Sequence, residues 1–385
     1  MKTIITSPKG PPLRRVLCSF LFSAAAFFVV PANSQTSGDI VWVTTGNTIA
    51  AYNADGTPLN TFNVITLQPV PIPNTPGWVG LPSLGGILVS GSNLYAAAEW
   101  VPNVAILPML LQPNRPSSFY RYDWRITYAI AAYNAGTGNG ISGPGAYTLP
   151  YGNFFPLVPA GMALSVTQIP GGTNPVTTYY VANNRAASIT KTPLSSFNLS
   201  YINSTVYTVI KAPYALAVGG PNGNILYVTN NAQSPKGNFY ISTYSTAATS
   251  GIHGALLMPY FIENQTGTTG LYGLALQGNT LYVSVYSGSA PGVYTYAADT
   301  GNPVNLTGGV VNPTGQLFVS VNKPWGIAIG SPPLNGQHPT LYVASQQDPF
   351  AIYEFDATTG YPTGSIQLSG APTNITVEPA AALGN

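Results

Sequence analysis

Charge is the scarcest property of this 385-residue chain. Lys and Arg number 12, Asp and Glu 10, and charged residues make up 6% of the sequence, against roughly 25% in an average soluble protein. So few cations cannot build a surface that neutralises successive phosphates, which excludes a nucleic-acid binder. Charge-driven disorder is excluded too, because it couples low hydrophobicity to high net charge, and hydrophobic residues make up 45% here. Histidine occurs twice and cysteine once. No GxSxG, HExxH, P-loop or EF-hand pattern is present.

The N-terminal 34 residues read as a secretory signal. Lys2, Lys9, Arg14 and Arg15 form a positive region, Val16–Val30 is apolar, and Ala32 and Ser34 are the small residues of a cleavage site before Gln35. The apolar run falls short of the ~20 residues of a spanning helix, and no later segment is long and apolar enough to span a membrane. Removal of 1–34 takes Cys18 with it, so the remaining chain has no thiol and depends on its core for stability. It also removes four cations and no acid, turning a formal +2 into a slight negative excess. The expected destination is extracellular or periplasmic, and 35–385 is expected to be one domain.

What the chain has in abundance is Gly (41), Pro (36) and Tyr (25), a composition of short strands and turns. An aromatic-Val strand recurs: Leu226-Tyr227-Val228, Leu281-Tyr282-Val283 and Leu341-Tyr342-Val343, with looser copies around Trp42, Tyr95 and Tyr180. The central aromatics are spaced 53, 85, 47, 55 and 60 residues apart, a unit of about fifty residues with one large insertion. Each later copy follows a strand of small and apolar residues, such as Ala215–Val218 or Ile327–Ile329. A third strand ending in a polar turn comes after it (Tyr52-Asn53-Ala54-Asp55, Phe355-Asp356-Ala357), and then a fourth (Gly364–Leu368). Four antiparallel strands per unit, repeated radially, predict an all-β, six-bladed β-propeller. The first unit lacks an inner strand, and Ala371–Val377 resembles the inner-strand opening Ala212–Val218. The C-terminal strand is therefore expected to complete the N-terminal blade; an unclosed stack of hairpins is the alternative.

At these residues the chain resembles the NHL-repeat and gluconolactonase-like group of six-bladed propellers. Lys323–Ile329 with Thr340–Ala344 look like that group's paired inner strands, and Phe355–Gly360 like its outer turn. The resemblance implies a divalent cation, calcium or another, held by oxygens at the channel mouth, for which this chain offers Glu99, Asn183 and Asn230. NHL repeats place Asp after the aromatic-Val-Ala strand; here that place holds Thr45, Ala98, Asn183, Asn230, Val285 and Ser345.

Residue chemistry gives little sign of catalysis. His253 and His338 are expected on the face away from the channel mouth. Asp39, Asp55, Asp299 and Asp356 are expected at a strand start or in turns, where Asp stabilises the backbone. Asp348 and Glu99 are the acids expected on the channel face, from blades six and two. The most informative segment is the insertion at about Trp100–Arg125, between the second and third strands of blade two. It interleaves cations with aromatics (Tyr120, Arg121, Trp124, Arg125), a combination suited to binding. Asn184, Arg185, Asn231, Tyr286, Trp325 and Gln346 are expected on the same rim. Together they favour a non-enzymatic binding module, without a cofactor, for a glycan, peptide or protein. A divergent lactone hydrolase with a cation is the alternative.

Overall fold

The computed structural model describes residues 38–71, 79–102, 127–140, 146–148, 159–168, 175–184, 187–193, 200–201, 210–220, 223–247, 254–264, 269–308, 310–313, 315–330 and 338–379. Among them every regular element is a strand. Blade one holds β1 (Asp39–Thr45), β2 (Thr48–Asn53) and β3 (Ile65–Thr66). Blade two holds β4 (Val70–Pro71), β5 (Val79–Ser90), β6 (Asn93–Pro102), β7 (Thr127–Asn134) and β8 (Ala146–Thr148). Blade three is β9 (Pro159–Gln168), β10 (Pro175–Asn183), β11 (Ser188–Pro193) and β12 (Ser200–Tyr201). Blade four is β13 (Pro213–Gly219), β14 (Ile225–Asn230), β15 (Phe239–Ser245) and β16 (Leu256–Asn264). Blade five is β17 (Thr269–Gln277), β18 (Thr280–Ser287), β19 (Gly292–Ala297) and β20 (Gln316–Ser320). Blade six is β21 (Pro324–Ile329), β22 (Thr340–Ser345), β23 (Ala351–Asp356) and β24 (Pro362–Gln367), and the last strand, β25 (Pro372–Pro379), returns to blade one.

The ring closes as expected. β25 pairs antiparallel with β1 from Asp39↔Pro379 to Thr45↔Pro372 and supplies the inner strand of blade one. The protein is thus an all-β, six-bladed propeller of antiparallel blades, with β4 added beside the start of β5. One boundary differs from expectation. Trp100 belongs to β6, opposite Pro82 and Thr127, because the β5–β6–β7 ladder runs on past Glu99. The insertion therefore begins beyond Pro102, and 103–126 lie outside the described residues.

The recurring aromatic-Val strand is apolar on both sides because each blade is sandwiched between two others. Trp42, Tyr227, Tyr282 and Tyr342, with their Leu or Val neighbours, are almost wholly buried. The aromatics also do a polar job, since a buried hydroxyl or indole N–H needs an acceptor. Trp42 Nε1 donates to the Ala135 carbonyl of blade two at 3.3 Å, Tyr227 to Ala298 of blade five at 2.6 Å, and Tyr282 to Ala357 of blade six at 2.6 Å. Each of these alanines sits in a turn after the third strand, and its own N–H donates to the loop before the second strand of its blade. Tyr342 of blade six departs from the rule and donates to Asp39 Oδ2 at 3.2 Å. Tyr282→Phe strands the buried Ala357 carbonyl and is expected to cost about 1–2 kcal/mol, read as a lower urea midpoint with an unchanged slope.

The six inner strands line the axis and share one irregularity. Their pairing with the second strands shifts register near the start, between Leu84 and Ile87, Pro213 and Leu216, Leu271 and Leu274, and Pro324 and Ile327, with equivalent shifts in blades one and three. At the bulge stand Gly86, Gly161, Ala215, Gly273, Gly326 and Asn374. A side chain there points at the next inner strand. A Cβ on Gly161 would run into the Tyr214 carbonyl, and one on Gly273 into the Trp325 carbonyl and Ile327 N. Asn374, the exception in size, donates from Nδ2 to the Ala160 carbonyl of blade three at 3.1 Å, spanning two blades.

Candidate functional site: the channel mouth

Antiparallel pairing brings the start of each inner strand to the end of the second strand, as in Pro213↔Asn230, Thr269↔Ser287 and Pro324↔Ser345. These ends make one face of the ring. The residue just before the bulge then sits at the mouth, and its identity divides the ring in two. Blades four, five and six carry Tyr214, Tyr272 and Trp325; blades one, two and three carry Thr373, Gly85 and Ala160.

The three aromatics pack into one cluster. Tyr272 stacks on Trp325 with centroids 3.9 Å apart and planes 17° apart. Tyr214 meets both edge-on, at 4.7 and 5.4 Å. Tyr286, at the end of β18, adds edge-on contacts to Tyr272 at 5.2 Å and to Trp325 at 5.4 Å. These geometries suit the ring quadrupoles and make a stiff wall. All four residues are half-buried. The indole Nε1 of Trp325 is buried with no acceptor in aligned geometry, although the Tyr214 hydroxyl interacts with it. Burial pushes the Tyr214 and Tyr272 hydroxyls above the ordinary tyrosine range, only partly offset by Trp325 and Asn231 respectively. Both therefore stay protonated as donors at neutral pH.

Beside the cluster lies a depression of about 430 Å³ lined by Asn184, Ala212, Tyr214, Asn231, Tyr272 and Trp325, with Phe239 and Gly270. Below it the axis encloses about 220 Å³ between the inner strands, and Tyr272 borders both spaces.

The rim amides expected to meet a ligand hold blades together. Asn184 Nδ2 donates to the Pro213 carbonyl at 3.3 Å, Asn231 Oδ1 accepts from Leu271 N at 3.0 Å, and Gln346 Nε2 donates to the Pro372 carbonyl at 2.9 Å. Tyr286 and Gly46 occupy the same offset and also meet the following inner strand, through Trp325 and through Leu84 N respectively. Asn184 and Asn231 still present surface to the depression. Of the other expected residues, Tyr120, Arg121, Trp124, Arg125 and Arg185 lie outside the described residues. The β6 and β7 ends that bound the insertion, Pro102 and Thr127, belong to the mouth face.

The three residues offered for a cation have separate surroundings. Asn230 is fully buried; its Oδ1 accepts from Lys211 N at 3.0 Å, and its Nδ2 donates to Val228 O and Ser242 Oγ. Asn183 is buried with a long bond to Val181 O at 3.4 Å. Glu99 lies in the ladder opposite Ser83 and Tyr128. Among the described residues no group of three or more His, Cys, Asp or Glu could hold a metal ion. His338 is exposed on the loop before β22, with Nδ1 3.1 Å from Thr358 Oγ1; His253 lies outside the described residues.

Tyr214 and Tyr272 were not singled out from sequence, although a signal exists. Aligning the inner strands on the small residue at the bulge puts an aromatic directly before it in three successive units: Tyr214-Ala215, Tyr272-Gly273 and Trp325-Gly326.

No family model and no curated protein matches this chain. Solved structures do resemble it at a distance. An apo AztD from Citrobacter koseri is 11% identical over 88% of this chain and 97% of its own, with a TM-score of 0.36. A TolB from Acinetobacter baumannii is 12% identical over 89% and 66%, at 0.48. A protein from Bacteroides fragilis, named as a candidate 6-phosphogluconolactonase, is 14% identical over 90% and 99%, at 0.43. Likeness this remote assigns no chemistry, and the blade count rests on strand pairing within the chain itself.

Proposed function

We propose that this protein is an exported, non-enzymatic propeller that binds an uncharged polar ligand, a glycan or an extended peptide, at the channel mouth. The observation that carries the proposal is the aromatic wall of blades four to six, Tyr214, Tyr272 and Trp325, beside a depression of about 430 Å³. Aromatic faces stack on sugar rings and peptide planes, and the hydroxyls of Tyr214 and Tyr272 add polar groups beside them. Few ionisable groups line the depression, which favours neutral partners over phosphates or carboxylates. The sequence of 103–126 adds cations interleaved with aromatics (Tyr120, Arg121, Trp124) to the chain that joins Pro102 and Thr127, a composition suited to the same ligand class. Export is supported by the basic, apolar and small-residue pattern of 1–34. Among the described residues no helix is long and apolar enough to cross a membrane.

Glycan and peptide arrays on the 35–385 chain, followed by calorimetry on the hits, test this reading. Trp325→Ala is expected to weaken binding at least tenfold, about 1.4 kcal/mol or more, and Trp325→Phe to restore part of it. Arg121→Ala with Trp124→Ala is expected to weaken the same ligand. A bound ligand indifferent to Trp325 would move the site away from the mouth.

A further inference from the structure

The seam where the ring closes, between blades six and one, buries two acids. Asp39 opens β1 and is 3% exposed; Glu354 lies in β23 and is 7% exposed. Tyr342 connects them: its hydroxyl donates to Asp39 Oδ2 at 3.2 Å, and its backbone stands opposite Glu354 in the β22–β23 ladder. Gly364 leaves room for Glu354, since a Cβ there would stand 2.8 Å from Oε2. Gly330 does the same for Asp39. The outer turn of blade one completes the enclosure, with Gly56 packed near Ser365 and Ile366 of β24. Within it, Glu354 Oε1 is buried and has no hydrogen-bond partner.

A buried carboxylate with an oxygen left bare is costly, whereas a buried carboxylic acid is tolerated. A hard cation would be another remedy, but calcium takes six to eight oxygens, and the described residues offer no such cluster. We propose that Glu354 is a proton-operated clasp on the propeller seam. With its proton the carboxyl is tolerated in the buried seam it shares with Asp39 and the ring closes firmly; without it, two buried carboxylates repel across the seam and blade six loosens from blade one.

The groups around Glu354 act in one direction. Burial, then the charge of Asp39 on β1, then that of Asp55 in the turn after β2 all oppose ionisation, pushing its carboxyl up to about 7 from an ordinary 4.5. From β22 the facing group is the neutral Tyr342. On β23 itself, Asp356 is engaged by the N–H groups of Thr358 and Thr359. Between pH 4.5 and about 7 the unfolded chain releases a proton that the folded protein keeps, so stability falls as pH rises through this window and is level above it. The difference amounts to about 300-fold in the folding equilibrium constant. Such a device makes an exported protein firmer in acidic surroundings than in alkaline ones.

Denaturant unfolding of the 35–385 chain near pH 4.5 and near pH 8 tests the clasp against Glu354→Gln and Asp39→Asn. The wild type is expected to lose about 150-fold more than Glu354→Gln across that range, since at pH 4.5 half of the unfolded chains are already ionised, and Asp39→Asn to shift the midpoint of the loss downward. Should Glu354→Gln fail to fold, infrared spectra of wild type with carboxyl-labelled glutamate decide: a protonated glutamate band at pH 6 is expected. Parallel pH curves for wild type and Glu354→Gln, or no protonated glutamate at pH 6, overturn the proposal. Stabilisation by millimolar calcium at pH 8 that depends on Glu354 overturns it as well, in favour of a cation.

Discussion

Deleting Pro372–Asn385 is expected to leave a chain that does not fold cooperatively, although only one strand is removed. β25 is the inner strand of blade one and pairs with β1 at seven positions. Its loss uncovers the edge of β1 and the faces of Val41 and Val43, which pack with Ala328, Tyr342, Ile352 and Ile375 in the core between blades six and one. Thr373, whose hydroxyl lies 2.8 Å from Thr44 Oγ1, and Asn374, which spans to Ala160, go with it. The inner strands of blades two and six each lose a neighbour, so two seams open together. A domain of ordinary stability has about 5–15 kcal/mol in reserve, and the opened ring forfeits most or all of it. Circular dichroism melting and size-exclusion chromatography check this.

Gly273→Val is expected to cost about 3 kcal/mol or more and to spoil the mouth at the same time. The new side chain would collide with the Trp325 carbonyl and stand 2.9 Å from Ile327 N, both backbone atoms of the neighbouring blade. Backbone cannot swing aside as a flexible side chain does, so the inner strands of blades five and six must separate. A bridge is strained with them: Gly273 N donates to Ser284 Oγ at 2.6 Å, and Ser284 Oγ donates to the Trp325 carbonyl at 2.7 Å. Because Trp325 rides on that strand, its stack with Tyr272 moves too. Melting curves should show the loss of stability. Near-ultraviolet circular dichroism should show a changed aromatic signal at temperatures where the far-ultraviolet spectrum is still native.

The architecture was readable because the aromatic-Val strand is buried on both faces in every blade, so its pattern survives from Trp42 to Tyr342 whatever the loops do. Closure was readable for a similar reason, since Ala371–Val377 must fill the same inner place as Ala212–Val218. The mouth was read in part. Chain direction put Asn184, Asn231, Tyr286, Trp325 and Gln346 on one face, but composition does not tell an amide that meets a ligand from one that meets Pro213 O or Leu271 N. Tyr214 and Tyr272 were hidden inside an inner-strand pattern that stressed small residues. Glu354 was hidden by its place in the ladder, since its burial depends on Tyr342 beside it and Asp39 some 300 positions away in sequence.

The contacts made by Asn184, Asn231, Tyr286, Gln346 and Gly46 all run from one blade to the next in chain order, and so do the bonds from Trp42, Tyr227 and Tyr282. Fastening thus has a polarity, with blades one, three, four, five and six each gripping the blade that follows. An exchange of one whole blade between propellers would break a grip on either side. A foreign blade therefore fits only if it brings both an acceptor turn for its predecessor and a donor aromatic for its successor.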